Sequence, residues 1–215
     1  NVAMREVWRI AYALLDDAYD GAPPVDSIPL FDAIPERTKA LVAQMLVRDL
    51  NAPPAHGVGR YFDAFGSLVL GRSKSSYEGQ VAVAWDFEAD AQTRGSYPFE
   101  IDEEMTPMQI DLRASVRAAV SDLLDGVSAG AISKRFHATL TKASVAVAKR
   151  LLHRLGPLPV VLTGGVFQNE RLCFGIEGEL ARDYEVLRHR EVPPGDGGIA
   201  LGQALIADAI LGDKG

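Results

Sequence analysis

An α/β fold is what this sequence predicts, on three observations. The last 60 residues run strand, glycine turn, helix and then repeat that order; two short segments of alternating hydrophobicity between about 96 and 112 suit a hairpin; and the remainder carries apolar residues at helical spacing, broken by proline-rich joints. Alternation of strand and helix argues a sheet with ligand-binding turns at its strand ends.

The first helix is carried by Val7, Ile10, Ala11, Leu14 and Leu15, and Gly21, Pro23 and Pro24 stop it. A second spans about Pro35 to Leu50, with Leu41, Val42, Met45 and Leu46 as its apolar stripe, ahead of Pro53 and Pro54. The glycine-bearing run His56-Gly57-Val58-Gly59-Arg60 leads into a third, Tyr61 to about Leu70, and Glu78 to Ala91 forms a fourth. In the hairpin, Tyr97, Phe99 and Ile101 alternate on one strand and Met108, Ile110 and Leu112 on the other. Helices follow at about Arg113 to Leu124 and from Ala129 to Leu155, the latter ended by Gly156 and Pro157. Val160-Val161-Leu162 is a buried-strand run that leads through a Gly-Gly turn to a helix from about Asn169. Val186 and Leu187 lie on the next strand, Val192 to Gly198 form a second turn, and Ile199 to Leu211 a closing helix.

Composition narrows the function classes. The chain has 215 residues, 47% hydrophobic and 24% charged, as in an ordinary globular protein of one domain or two lobes. Its net charge of -7 repels a polyphosphate backbone, which argues against a nucleic-acid partner. A single cysteine, Cys173, rules out an intrachain disulfide or a cysteine metal cluster and suits a reducing, cytoplasmic setting. No stretch approaches the roughly 18 apolar residues of a membrane span, and the start lacks a signal-like core. The chain begins at Asn1 rather than at a methionine, so it is expected to be cut from a longer protein.

Three places are candidates for chemistry. In Thr163-Gly164-Gly165-Val166-Phe167-Gln168-Asn169, Gly164 and Gly165 let a backbone approach a ligand, and the following helix offers N–H groups to an anion such as a nucleotide phosphate. A tight turn needing positive φ explains the same glycines. Asn169 is either a plain helix cap or a ligand to a ribose or phosphate oxygen. In the second turn, Asp196 is either a metal ligand or an N-cap. Asp63, sharing a helix side with Gly59, Gly66 and Ser67, either grips ribose hydroxyls above a shallow groove or is a solvated surface aspartate. The four histidines, His56, His137, His153 and His189, include no pair at metal-binding helical spacing, and no serine elbow or Walker loop is present.

Taken together these segments resemble one family. The run from Leu162 to Asn169, then Val186-Leu187-Arg188-His189-Arg190, then Val192 through Gly198 to Gln203, is similar in order and spacing to the terminal signature of HypF-type carbamoyltransferases. Gly59 to Ala64 and Tyr77-Glu78-Gly79-Gln80 resemble that family's insert, and Arg5 with Trp8-Arg9 its lead-in. The resemblance implies an actin-like fold of the hexokinase/Hsp70 type (ribonuclease H-like), with a helical insert over residues 1–95 and the carboxyl-terminal α/β lobe over 96–215. It implies that Asp63 and Gly79 or Gln80 contact ribose, that Gly164 and Gly165 line the phosphate path, and that Asn169 touches the nucleotide. Asp196 would complete a site for a divalent metal (zinc, iron or magnesium), with histidines supplied from outside this chain. The implied reaction makes a carbamoyl adenylate from carbamoyl phosphate and ATP and passes the carbamoyl group to the terminal cysteine of a HypE-like partner, toward the cyanide ligands of nickel-iron hydrogenase.

The family's amino-terminal lobe, with its histidine-rich motif, is absent, so the chain alone is expected to have little or no turnover. Two competing readings are an O-carbamoyltransferase of antibiotic biosynthesis and a non-catalytic lobe that docks a partner protein.

Overall fold

The computed structural model describes residues 2 to 212, and it mixes helix and sheet as the sequence pattern predicts. The chain divides into two compact units between Ala143 and Ser144.

The first unit is mostly helical. After a short α1 (Val2–Arg5) come α2 (Trp8–Ala18), α3 (Glu36–Val47), α4 (Val58–Leu70) and α5 (Gln80–Phe87). The hairpin pairs β1 (Glu100–Asp102) with β2 (Gln109–Asp111) in antiparallel register, Ile101 opposite Ile110, and leads to α6 (Arg113–Leu124). Helix α4 is the hub, packing on both α2 and α5. Its Phe62 and Phe65 meet Phe136, from the first half of α7 (Ala129–Leu155), with ring centroids 5.0 Å and 4.3 Å apart, and Trp85 of α5 closes the cluster at 6.2 Å. All four rings are at most 3% exposed, so each pair adds about 0.5 to 1.5 kcal/mol beyond its apolar burial.

Compact packing of this unit does not stop at residue 95. The Tyr97 N–H donates to Thr139 Oγ1 at 2.7 Å, Ser133 Oγ to the Trp85 carbonyl at 2.6 Å, and the Asp90 N–H to the Gly130 carbonyl at 3.0 Å. These bonds tie the hairpin and α7 to the helical region, which is why the units part at Ala143 rather than at the change of pattern near 95.

Two helices differ from expectation for physical reasons. On α3, Leu41 is 52% exposed while Lys39 is buried, its ammonium 2.8 Å from Glu36 and 3.7 Å from Asp26, so pairing lets a lysine stem take the place the leucine stripe was expected to fill. Helix α5 ends at Phe87, short of Ala91, because Asp90 turns the chain by accepting from the Gln92 N–H and the Thr93 hydroxyl.

The second unit holds the parallel pair β3 (Val160–Leu162) and β4 (Val186–Arg188), joined through α8 (Glu170–Leu180) and followed by α9 (Ile199–Gly212). Leu162, Leu172, Ile176 and Leu180 are buried here. The opposite sheet face is open: Val161 and Leu187, paired in register, are 57% and 45% exposed. Helix α9 is apolar along much of its length, yet every one of its residues is exposed. Among the described residues no helix is long and apolar enough to cross a membrane.

Candidate functional site

In the first unit the structure gathers the candidates of the ribose side. Asp63 is 8% exposed, so it is not a solvated surface residue. Arg60, one helical turn earlier, donates from Nη1 to Asp63 Oδ2 at 2.9 Å, and its Nη2 lies 3.6 Å from Glu78 Oε1. Burial pushes the Asp63 carboxyl above the usual carboxylate range, the Arg60 charge and hydrogen bond pull it back, and the Glu78 charge raises it further. Glu78 immediately precedes Gly79, which adopts φ +80° ahead of α5. Gln80 Oε1 accepts from the Ser76 N–H at 2.7 Å, fixing the loop before α5.

The shallow groove expected beside Asp63 is filled over most of its length. A Cβ on Gly66 would lie 2.7 Å from Val81 Cγ1 and 3.1 Å from Trp85 Cβ, so this glycine lets α5 pack close rather than opening space for a ligand. Ser67 is fully buried, its hydroxyl donating to the Arg72 carbonyl at 2.8 Å.

In the second unit the two glycine turns are packed on each other. Gly164 has φ +105° and ψ 157°, a conformation essentially confined to glycine, and its N–H donates to the Pro194 carbonyl at 2.8 Å. Gly195 approaches so closely that a Cβ there would sit 3.2 Å from Gly165 Cα. A 3₁₀ turn, Gly165–Gln168, separates the glycines from α8, so they do not open that helix directly. The N–H groups of Gly165 and Val166, at the start of this turn, take no backbone acceptor among the described residues and stand available to an anion. Asn169 caps α8, its Oδ1 accepting from the Leu172 N–H at 2.8 Å.

A depression of about 460 Å³ opens at the carboxyl ends of β3 and β4, where open α/β sheets hold ligands. Leu162, Phe167, Arg188 and Arg190 contribute to its lining, and His189, also on it, bridges the two strand ends through Nε2 to Thr163 Oγ1 at 3.0 Å. His189 and its arginine neighbours belong to the segment that carries the family resemblance but are not among the expected site residues, because only the parallel pairing places them beside the glycine turn. Arg188 is spoken for, reaching Glu177 at 3.0 Å and stacking over Phe174 at 4.8 Å.

Asp196 is exposed and opens a 3₁₀ turn, Asp196–Gly198, that runs into α9; its side chain does not cap that turn. Among the described residues no group of three metal-binding side chains comes together, so Asp196 is a single available carboxylate. Cys173 is buried, and that burial raises its thiol above the ordinary range, the opposite of what a nucleophile needs.

Comparison with known proteins accounts for this arrangement. Residues 1–203 match the family model of the carbamoyltransferase, Kae1-like domain, second subdomain. The chain is 36% identical over 211 residues to carbamoyltransferase HypF of Rhodobacter capsulatus, covering 97% of this chain and 26% of that protein. It is 32% identical to carbamoyltransferase HypF2 of Cupriavidus necator, with 95% and 28% covered. A crystal structure of full-length HypF in its phosphate- and nucleotide-bound form superposes with a TM-score of 0.85 at 28% identity, over 98% of this chain and 27% of that one. The chain thus spans about a quarter of the length of these relatives, and it belongs to the family of the second subdomain of the Kae1-like carbamoyltransferase domain found in HypF.

Proposed function

We propose that this chain is one lobe of an actin-like carbamoyltransferase domain that binds ATP and carbamoyl adenylate and serves nickel-iron hydrogenase maturation. The observation that carries the reading is the paired glycine turn at the strand ends: Gly164 in a glycine-only conformation, held to Pro194, with the N–H groups of Gly165 and Val166 available. Such donors suit nucleotide phosphate oxygens, and the hydrogen bond from Gly164 to Pro194 holds the turn that presents them. Asp63 takes the ribose hydroxyls together with Gly79 and Gln80, which follow the Glu78 that Arg60 approaches; Asn169, beyond its cap, touches the nucleotide.

In the transfer step a thiolate of the acceptor attacks the carbamoyl carbon, a C–S bond forms, the bond from that carbon to the phosphate oxygen breaks, and AMP leaves with the electron pair. The glycine-turn N–H groups stabilise the phosphate as charge returns to it. The acceptor thiol comes from another protein, a HypE-like chain with a terminal cysteine, since Cys173 is buried with a raised thiol pKa. Asp196 fits a divalent metal as one ligand only, the remaining ligands being histidines outside this chain; when bound, that metal supplies charge neutralisation at the phosphates.

The test uses the full-length carbamoyltransferase that carries this lobe, supplied with ATP and carbamoyl-labelled carbamoyl phosphate. Label is expected on the terminal cysteine of a HypE-like acceptor and not on small hydroxylated acceptors. Label on the hydroxyl compounds alone would replace this reading with O-carbamoyl transfer.

A further inference from the structure

One cation serves two acids in the first unit. Arg60 directs Nη1 to the Asp63 carboxylate at 2.9 Å and Nη2 toward Glu78 at 3.6 Å. The two acids differ in what they need from it. The Glu78 side chain is 79% exposed, so water satisfies it and the long contact contributes little. The Asp63 side chain is 11% exposed, and a carboxylate so far from water is costly to keep ionised without a partner. Only Oδ2 of Asp63 is engaged by Arg60; Oδ1 takes no hydrogen bond among the described residues and is left to accept from a ligand.

We propose that Arg60 is the positioning residue of this site: its guanidinium keeps the buried Asp63 carboxylate ionised and aimed, so that nucleotide affinity depends on Arg60 through Asp63 without Arg60 touching the nucleotide. This rests on the reading of Asp63 as the ribose contact. Geometry supports an indirect role, because Arg60 and Asp63 lie one turn apart on the same helix and their side chains pair directly at 2.9 Å. The charged groups facing Asp63 are Arg60 from α4 and Glu78 from the turn before α5. Arg60 works against burial and against Glu78, and without it both remaining influences favour the protonated form, which donates rather than accepts at one oxygen.

Two readouts test the proposal. In the 215-residue chain, carbon NMR follows the Asp63 carboxyl titration, with Asp63→Asn identifying the resonance and circular dichroism checking the fold. Arg60→Gln is expected to move that titration toward neutral pH, and Arg60→Lys to restore most of the wild-type behaviour. In the full-length carbamoyltransferase, ATP affinity of Arg60→Gln is expected to fall about tenfold per pH unit below the new midpoint and to converge on wild type above it. An unmoved Asp63 titration in Arg60→Gln, or an affinity loss equal at every pH, overturns the proposal. A moved titration with ATP affinity unchanged in both Arg60→Gln and Asp63→Asn overturns the ribose assignment instead, separating the two failures.

Discussion

At the scale of single residues, Gly164 holds a backbone conformation that a residue with a side chain would find costly, and Asp63 holds a carboxyl that burial makes costly to ionise. Gly164 sits where a β-carbon would strain the backbone, although the space around it is open, so the constraint is conformational and not steric. Gly164→Ala is therefore expected to destabilise the fold by about 2 kcal/mol, measured by denaturant unfolding. An unchanged midpoint would mean that the turn relaxes without loss. Asp63 has the reverse character: its carboxyl is raised by burial, so its pH linkage favours the folded state at acid pH and weakens it as pH rises through the folded value. A buried acid kept in the ionised form at a stability cost is what a binding role would require.

At the scale of elements, close packing of α4 on α5 decides what the Asp63 region looks like. Gly66 permits that approach, and Gly66→Val places its first added carbon 2.7 Å from Val81 Cγ1. The expected loss is about 1 to 3 kcal/mol on calorimetric unfolding, and a neutral result would show the helix interface to be loose. The sequence was legible where breakers are strong: α6, α7 and β3 lie at the expected positions, since Gly126 and the Gly156-Pro157 pair leave the chain no alternative. It was not legible where contacts between distant segments decide. Nothing local reveals that Lys39 is buried and Leu41 exposed, because the choice depends on Glu36 and Asp26 together. Nor does local spacing reveal that Gly66 and Ser67 pack against protein, or that His189 meets Thr163, which is 26 positions away.

At the scale of the whole molecule, two units carry two sets of candidate residues, Asp63 with Arg60 and Glu78 in the first and the glycine turns with Asp196 in the second. The glycine turns were readable as a strand-end motif; their packing on each other through Gly165 and Gly195 was not, since it joins segments about 30 positions apart. The apolar exposed α9 and the open face at Val161 and Leu187 belong to a chain that spans about a quarter of its relatives' length. The claim that residues of this chain contribute to nucleotide binding is tested most directly by titrating ATP into the full-length carbamoyltransferase by calorimetry, comparing wild type with Asp63→Ala and Gly164→Ala. The account predicts saturable binding in wild type and at least a tenfold weakening in each variant, about 1.4 kcal/mol or more. Equal heats in all three proteins, whether strong or absent, would contradict it.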